Sequence, residues 1–123
     1  MLARAYDAER DGDAARRIWS EIGWLGEGES GRQAMDIWVG AGEARVAEVN
    51  GQAECLVLTA PGAMRYLDSD LRFCGVTGVA TSRIVRKQGL ATRLTAQALA
   101  DRAAAGDAVA GLIITVINIV GGL

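Results

Sequence analysis

The sequence predicts a mixed α/β (α+β) fold, an antiparallel meander followed by a β-α-β unit, on three observations. Two strand-like runs, "ARVAEV" and "AECLVLTA", flank Asn50-Gly51, the pair that best tolerates the two positive φ angles of a type I′ hairpin turn. A third run rich in β-branched and aromatic residues, "LRFCGVTGVAT", precedes Gly89, and from Gly89 onward the apolar period changes from two residues to nearly four. A β-branched run, "AVAGLIITVINIV", then follows that helix, as the second strand of a parallel pair would.

Each element has its own local reason. After a short apolar start, Asp11 or Asp13 can cap a helix whose Ala15, Ile18, Trp19 and Ile22 recur at helical spacing, and Gly23 can end it. Residues 26–42, "GEGESGRQAMDIWVGAG", are glycine-rich at both ends and predict a mobile connection holding one or two helical turns. The hairpin comes next. Pro61-Gly62 and Asp68-Ser69-Asp70 are turn-forming stretches that set the third strand off from its predecessor. From about Gly89 to Ala105 one helix stacks Leu90, Leu94 and Ala98 beside Ala91 and Leu99, with Arg93 and Arg102 facing water and Gly106 where a left-handed C-terminal residue belongs. The last run predicts a buried strand parallel to the one before the helix. No internal repeat or low-complexity segment interrupts this order.

Composition narrows the function classes. The 123 residues, half of them apolar, fit one domain over residues 1–123. Fifteen acidic against 13 basic residues, with no long run of one sign, argue against a nucleic-acid partner or a polybasic membrane surface. Cys55 and Cys74 sit in apolar surroundings, without a CxxC and in a chain without histidine, so they read as buried reduced thiols rather than metal ligands or a Cys-His pair. The N-terminus has no apolar core of signal-peptide length and the run 108–120 is too short to span a bilayer, which predicts a cytoplasmic protein.

The chemistry concentrates in Val79–Leu94, "VATSRIVRKQGLATRL", the strand-to-helix turn of the β-α-β unit. A helix N-terminus presents unpaired backbone N–H groups and the positive end of the helix dipole, so it attracts anions. Here Arg86 and Lys87 add positive charge where an acidic cap would compete with an anion, and Gly89 and Ala91 leave room for close approach. The turn by itself fits an anion site and a purely structural turn equally. A Walker loop and a Rossmann turn are both excluded by their missing glycine patterns.

These residues resemble the acetyl-coenzyme A signature of the GNAT N-acetyltransferase superfamily, in which a V-x-V strand leads into R-x-x-G-x-G/A and a helix. Val79, Ala80 and Thr81 match the strand end, and Arg86-Lys87-Gln88-Gly89-Leu90-Ala91 match the loop and first helical turn. Over about Met1 to Leu112 the order of elements resembles a GNAT-like mixed sheet. The stretches "MRYLDSDLRFCGVTGVATSRIVRKQGLATRL" and "ALADRAAAGDAVAGL" look most like the first domain of the enhanced-intracellular-survival type. The resemblance implies transfer of acetyl from acetyl-coenzyme A to a small-molecule or peptide amine. It implies that the backbone of Val79, Ala80 and Thr81 pairs with the pantetheine arm and that the amides of Lys87 to Thr92 hold the pyrophosphate with Arg86 and Lys87 as charge partners. Thr81 stands where the second valine is usual and Arg83 where a proline is common; neither change harms a backbone role.

Past Leu112 the chain departs from the family, which continues with a helix, a tyrosine suited to the acid role and further strands. The expectation is an incomplete domain whose alternatives are an inactive coenzyme A-binding remnant or a structural or interaction domain. Catalytic residues stay unassigned: Tyr6 and Tyr66 read as packing aromatics, Glu48 and Glu54 as strand-face glutamates, and Asn118 as a turn or cap residue. Trp24 and Trp38 flank the glycine-rich segment and are candidates to line the acceptor pocket, with core anchoring as the other reading. An exposed edge along "LIITVINIV" predicts self-association.

Overall fold

The chain opens with a strand that its sequence pattern does not announce, β1 (Leu2–Ala5), too short to show an alternation. It lies antiparallel to β2 (Glu43–Val49). The computed structural model describes residues 2–25 and 28–112. Beyond β1, the Asp7 carboxylate accepts hydrogen bonds from the backbone N–H of Glu9 and Arg10 at 3.0 and 3.2 Å and starts α1 (Ala8–Glu21). The cap is therefore Asp7, and the expected caps lie inside the helix. Asp11 is buried and takes the Arg4 guanidinium at 2.7 and 2.8 Å. Ala15, Ile18 and Trp19 form the buried stripe, and Gly23 follows the end with φ +79°.

The expected connection is instead a second full helix, α2 (Gly28–Gly40), held by Met35 and Val39, which are both buried against the first core layer. Four residues apart, these two side chains share one face, and their burial outweighs the helix cost of the glycines around them. The hairpin forms as predicted: β2 pairs antiparallel with β3 (Gln52–Tyr66) across Asn50 and Gly51, at φ +53° and +83°.

Pro61-Gly62 does not turn the chain. Both residues lie within β3, and the reversal to β4 (Ser69–Thr81) comes at Leu67-Asp68. The ladder with β2 ends at Glu43↔Thr59, so from Ala60 onward β3 is an edge on that side, where a residue without an N–H is tolerated. After β4, α3 (Leu90–Ala104) crosses back, and β5 (Val109–Leu112) pairs parallel to β4 from Phe73↔Val109 to Val76↔Leu112. The β-α-β unit is thus present. Ala110 is exposed, so the described part of β5 is not the fully buried strand expected. The rest of that run, with Asn118 and most of the proposed association edge, lies outside the described residues.

The five strands run β1-β2-β3-β4-β5 in one sheet with a core layer on each face. On one face, α1 and α2 cover Val46, Ala53, Leu56 and Ala80; on the other, Leu90, Leu94 and Ala98 of α3 cover Ala47, Cys55, Val57, Cys74 and Val76. Arg102 does not simply face water, because its guanidinium holds Asp107 and Glu43, both at 2.9 Å, and pins the end of α3 to β2.

Candidate functional site

Where β4 reaches the middle of the sheet its ladder skips. Leu58 pairs with Thr77 and Leu56 with Ala80, so Gly78 and Val79 together oppose the single residue Val57. Gly78 has φ +62°, and a Cβ there would lie 3.3 Å from both Leu58 Cβ and Trp19 Cζ2. At that positive φ a side chain is strained, and Leu58 or the indole would have to give by a few tenths of an ångström to admit one. β4 pairs with β5 from Phe73 to Val76, with Val76 opposite Leu112, the last described residue.

Val79 and Thr81 are half-buried and Ala80 is buried, so what this segment offers a guest is mainly backbone. Its exit is clamped. The Ser82 N–H donates to the Glu54 carbonyl at 2.7 Å, Arg17 of α1 donates to the buried Ser82 hydroxyl at 3.3 Å and to Glu54 Oε1 at 2.9 Å, and the Arg83 N–H donates to Glu21 Oε2 at 3.1 Å. A short 3₁₀ turn (Arg83–Val85) with Val85 buried then leads to the loop.

The loop itself is built for an uncapped helix start. Lys87 has φ +66° and Gly89 φ +75°; Gly89 is the N-cap and contributes no side-chain acceptor, and the first turn of α3 has no acidic residue. The first amide of this helix to find a backbone carbonyl is that of Arg93, which bonds Gly89 at 3.1 Å, leaving the N–H groups of Leu90, Ala91 and Thr92 directed outward. Arg86, Lys87 and Gln88 are exposed around this end. A Cβ on Gly89 would meet only Arg93 Nε at 4.0 Å, so close approach from solvent is open.

The predicted residues run from the end of β4 into the first turn of α3: Ala80 and Leu90 are buried, Val79, Thr81 and Ala91 half-buried, and Arg86, Lys87, Gln88, Gly89 and Thr92 exposed. Arg93, expected to face water, does more: its guanidinium donates to the Gln88 carbonyl at 2.9 Å and braces the loop. The signal for it is position, an arginine one turn after the cap, close enough to reach back. Arg86 folds toward the strand, with Nε donating to the Thr81 carbonyl at 3.3 Å.

The other candidates lie on the α1 and α2 side. Trp24 and Trp38 pack edge-on against Trp19, with ring centroids 5.7 and 5.3 Å away, and both are half-buried. Glu48 is held by Arg10 and Arg4, and Glu54 by Arg17. Tyr6 is pushed to a higher pKa by burial, and Tyr66 is exposed near the tip of the β3-β4 arm. Burial also raises the Cys55 and Cys74 thiols, consistent with inert buried cysteines.

No family model and no curated protein sequence matches the chain. Solved structures do match. A conserved protein of unknown function from Enterococcus faecalis, described as a "probable N-acyltransferase", superposes with a TM-score of 0.78 at 14% identity over 90% of this chain and 28% of that one. A GNAT family acetyltransferase from Staphylococcus aureus gives 0.72 at 9% identity over 91% and 84% of the two chains. The fold is that of the GNAT acetyltransferases. Glucosamine-6-phosphate N-acetyltransferase from Arabidopsis thaliana shares it too, with a TM-score of 0.73 at 11% identity over 98% of this chain and 86% of that one. Among the described residues no helix of this GNAT fold is long and apolar enough to cross a membrane.

Proposed function

We propose that this domain transfers acetyl from acetyl-coenzyme A to an amine. One observation carries the reading: the end of β4 leads through a short 3₁₀ turn into a helix N-terminus that has no side-chain cap and is preceded by exposed Arg86 and Lys87. The chain's own residues fit the coenzyme. Backbone N–H and C=O groups of Val79, Ala80 and Thr81 would pair with the amides of the pantetheine arm. The amides of Lys87 to Thr92 would hold the pyrophosphate, an anion at a helix N-terminus being stabilised by about 0.3–1 kcal/mol at exposed sites. The coenzyme supplies a thioester carbonyl activated toward attack by an amine. The α1 and α2 side, with Trp24 and Trp38, would receive the acceptor. Because Glu48 and Glu54 are both ion-paired, neither is assigned the amine's proton.

The finer resemblance, to the first domain of the enhanced-intracellular-survival type, rests on the stretches 64–94 and 98–112 of the sequence. Titration with acetyl-coenzyme A tests the reading. A ligand that binds only the folded chain stabilises it, by about 2.7 kcal/mol at a hundredfold excess over Kd. A concentration-dependent rise in melting temperature is expected, with free thiol released when an amine is added; an unchanged melting temperature at millimolar ligand contradicts it. Release of thiol by none of a panel of polyamines, aminoglycosides and peptide amines, with the thermal shift intact, favours a coenzyme-binding domain without transfer.

A further inference from the structure

Past Thr59 the β3-β4 pair runs on as an arm of two strands. β2 begins at Glu43, opposite Thr59, and the residues before it belong to α2 and its exit, so among the described residues nothing pairs with the outer edge of β3 from Ala60 to Tyr66. Residues 61–70 are all exposed, among them Met64 at 41%, Tyr66 at 62% and Leu67 at 80%. A two-stranded ribbon is marginally stable by itself, and apolar side chains left bare along one mark a contact surface. The direction of its backbone groups is set at its root. A Cβ on Gly42 would run into the Thr59 carbonyl, so that carbonyl is directed out of β3 on the β2 side. The direction alternates along a strand, and Pro61, Ala63 and Arg65 therefore face the same open edge. Pro61 has no N–H to leave bare, whereas Ala63 and Arg65 each present both an N–H and a C=O.

We propose that this edge pairs with the same edge of a second copy of the chain, antiparallel about a two-fold axis beside Met64. Of the two-fold registers, the one about Met64 alone uses every backbone group that Ala63 and Arg65 present: each Ala63 stands opposite the partner's Arg65 and the two exchange both hydrogen bonds. A register about Ala63 would set an Arg65 carbonyl against Pro61, which has no N–H, and one about Arg65 would place Ala63 opposite Leu67, which leaves the strand with φ +53°. The side chains agree with the Met64 register. Gly62 comes opposite the partner's Tyr66, and the Phe73 ring leans over Gly62, where a Cβ would lie 3.3 Å from Phe73 Cδ1, so the incoming tyrosine meets an aromatic ring. Pro61 comes opposite the partner's Leu67. Beside Pro61 is a cavity of about 230 Å³, lined also by Gly42, Thr59, Ala60 and Cys74. The most exposed leucine of each arm is thus brought to a cavity at the root of the other, as a closed two-fold interface requires.

Sedimentation equilibrium of the full chain from micromolar to millimolar concentration tests the pairing, and a reversible dimer is expected. Leu67→Asn removes the apolar side chain at a positive φ that asparagine tolerates, and it is expected to raise the dimer dissociation constant at least about tenfold. Met64→Cys places a thiol on the axis, in a directly opposed pair whose spacing a disulfide can span. Oxidised glutathione is expected to cross-link that variant as a dimer on a non-reducing gel. Arg65→Cys, whose copies stand out of register with one another, is expected not to cross-link, and the native Cys55 and Cys74 are buried. A chain that stays monomeric to millimolar concentration overturns the proposal. So does a dimer whose dissociation constant Leu67→Asn leaves unchanged, failure of Met64→Cys to cross-link, or cross-linking of Arg65→Cys as readily as Met64→Cys, each of which puts the contact on another surface or in another register.

Discussion

Asp11 illustrates what a residue's type cannot convey without its neighbours. An aspartate near a helix start reads as a cap, but here the cap is Asp7, and Asp11 lies one turn further in, where it meets Arg4 of β1 and accepts the Asp7 N–H at 2.9 Å. The missing information is a strand of four residues, too short to be read from its own pattern. The hydrogen bonds from Arg4 hold the Asp11 carboxyl below its ordinary value of 3.8, outweighing the opposite effect of burial. A carboxylate with a depressed folded-state pKa contributes stability that is fully present above its unfolded value and is lost as pH falls through the folded one. Urea unfolding should therefore show stability declining below about pH 3.8. Asp11→Asn should cost about 2–3 kcal/mol at pH 7 and flatten part of that decline, because charge-assisted hydrogen bonds are among the stronger ones. An acid limb of unchanged steepness in the variant would remove Asp11 from this role.

The elements divide by the range of the forces that make them. The β2-β3 hairpin and α3 were legible because their determinants are local: Asn50-Gly51 at positive φ, and Leu90, Leu94 and Ala98 on one helical face. The strand-to-helix turn was legible for the same reason, as a short run whose spacing sets its own geometry. α2 was not, because its glycines speak against a helix and only the burial of Met35 and Val39 against the sheet decides for one. Pro61 misled for a related reason: its place on an edge depends on where β2 ends, a fact of the partner strand. The same contrast gives a test on α1. Asp7→Ala removes the acceptor of two otherwise unpaired amides and should cost about 1 kcal/mol, lowering the melting temperature by roughly 4 °C for a domain of this size. Because α1 also clamps Ser82 and Arg83 through Arg17 and Glu21, the loss should be accompanied by faster amide exchange at the start of the strand-to-helix turn. An effect below a few tenths of a kcal/mol would show that burial of Ile18 and Trp19 alone sets this helix.

At the scale of the whole molecule, two helical layers hold one sheet, and packing on both faces fixes its fourth strand, which bulges at Gly78 before it leads into the turn that opens α3. Sequence spacing located the strand-to-helix turn, because the turn is contiguous in the chain. It missed the approach of the Trp19 indole to Gly78, 59 positions away, which only folding brings about. The central claim is that the coenzyme lies along β4 and ends on the amides that open α3. Hydrogen exchange followed by mass spectrometry, with and without acetyl-coenzyme A, tests it directly. Protection confined to peptides covering Val79–Thr81 and Lys87–Thr92 is the predicted result; protection centred elsewhere, such as the cleft between α1 and the Gly51 hairpin, or none at saturating ligand, would contradict it.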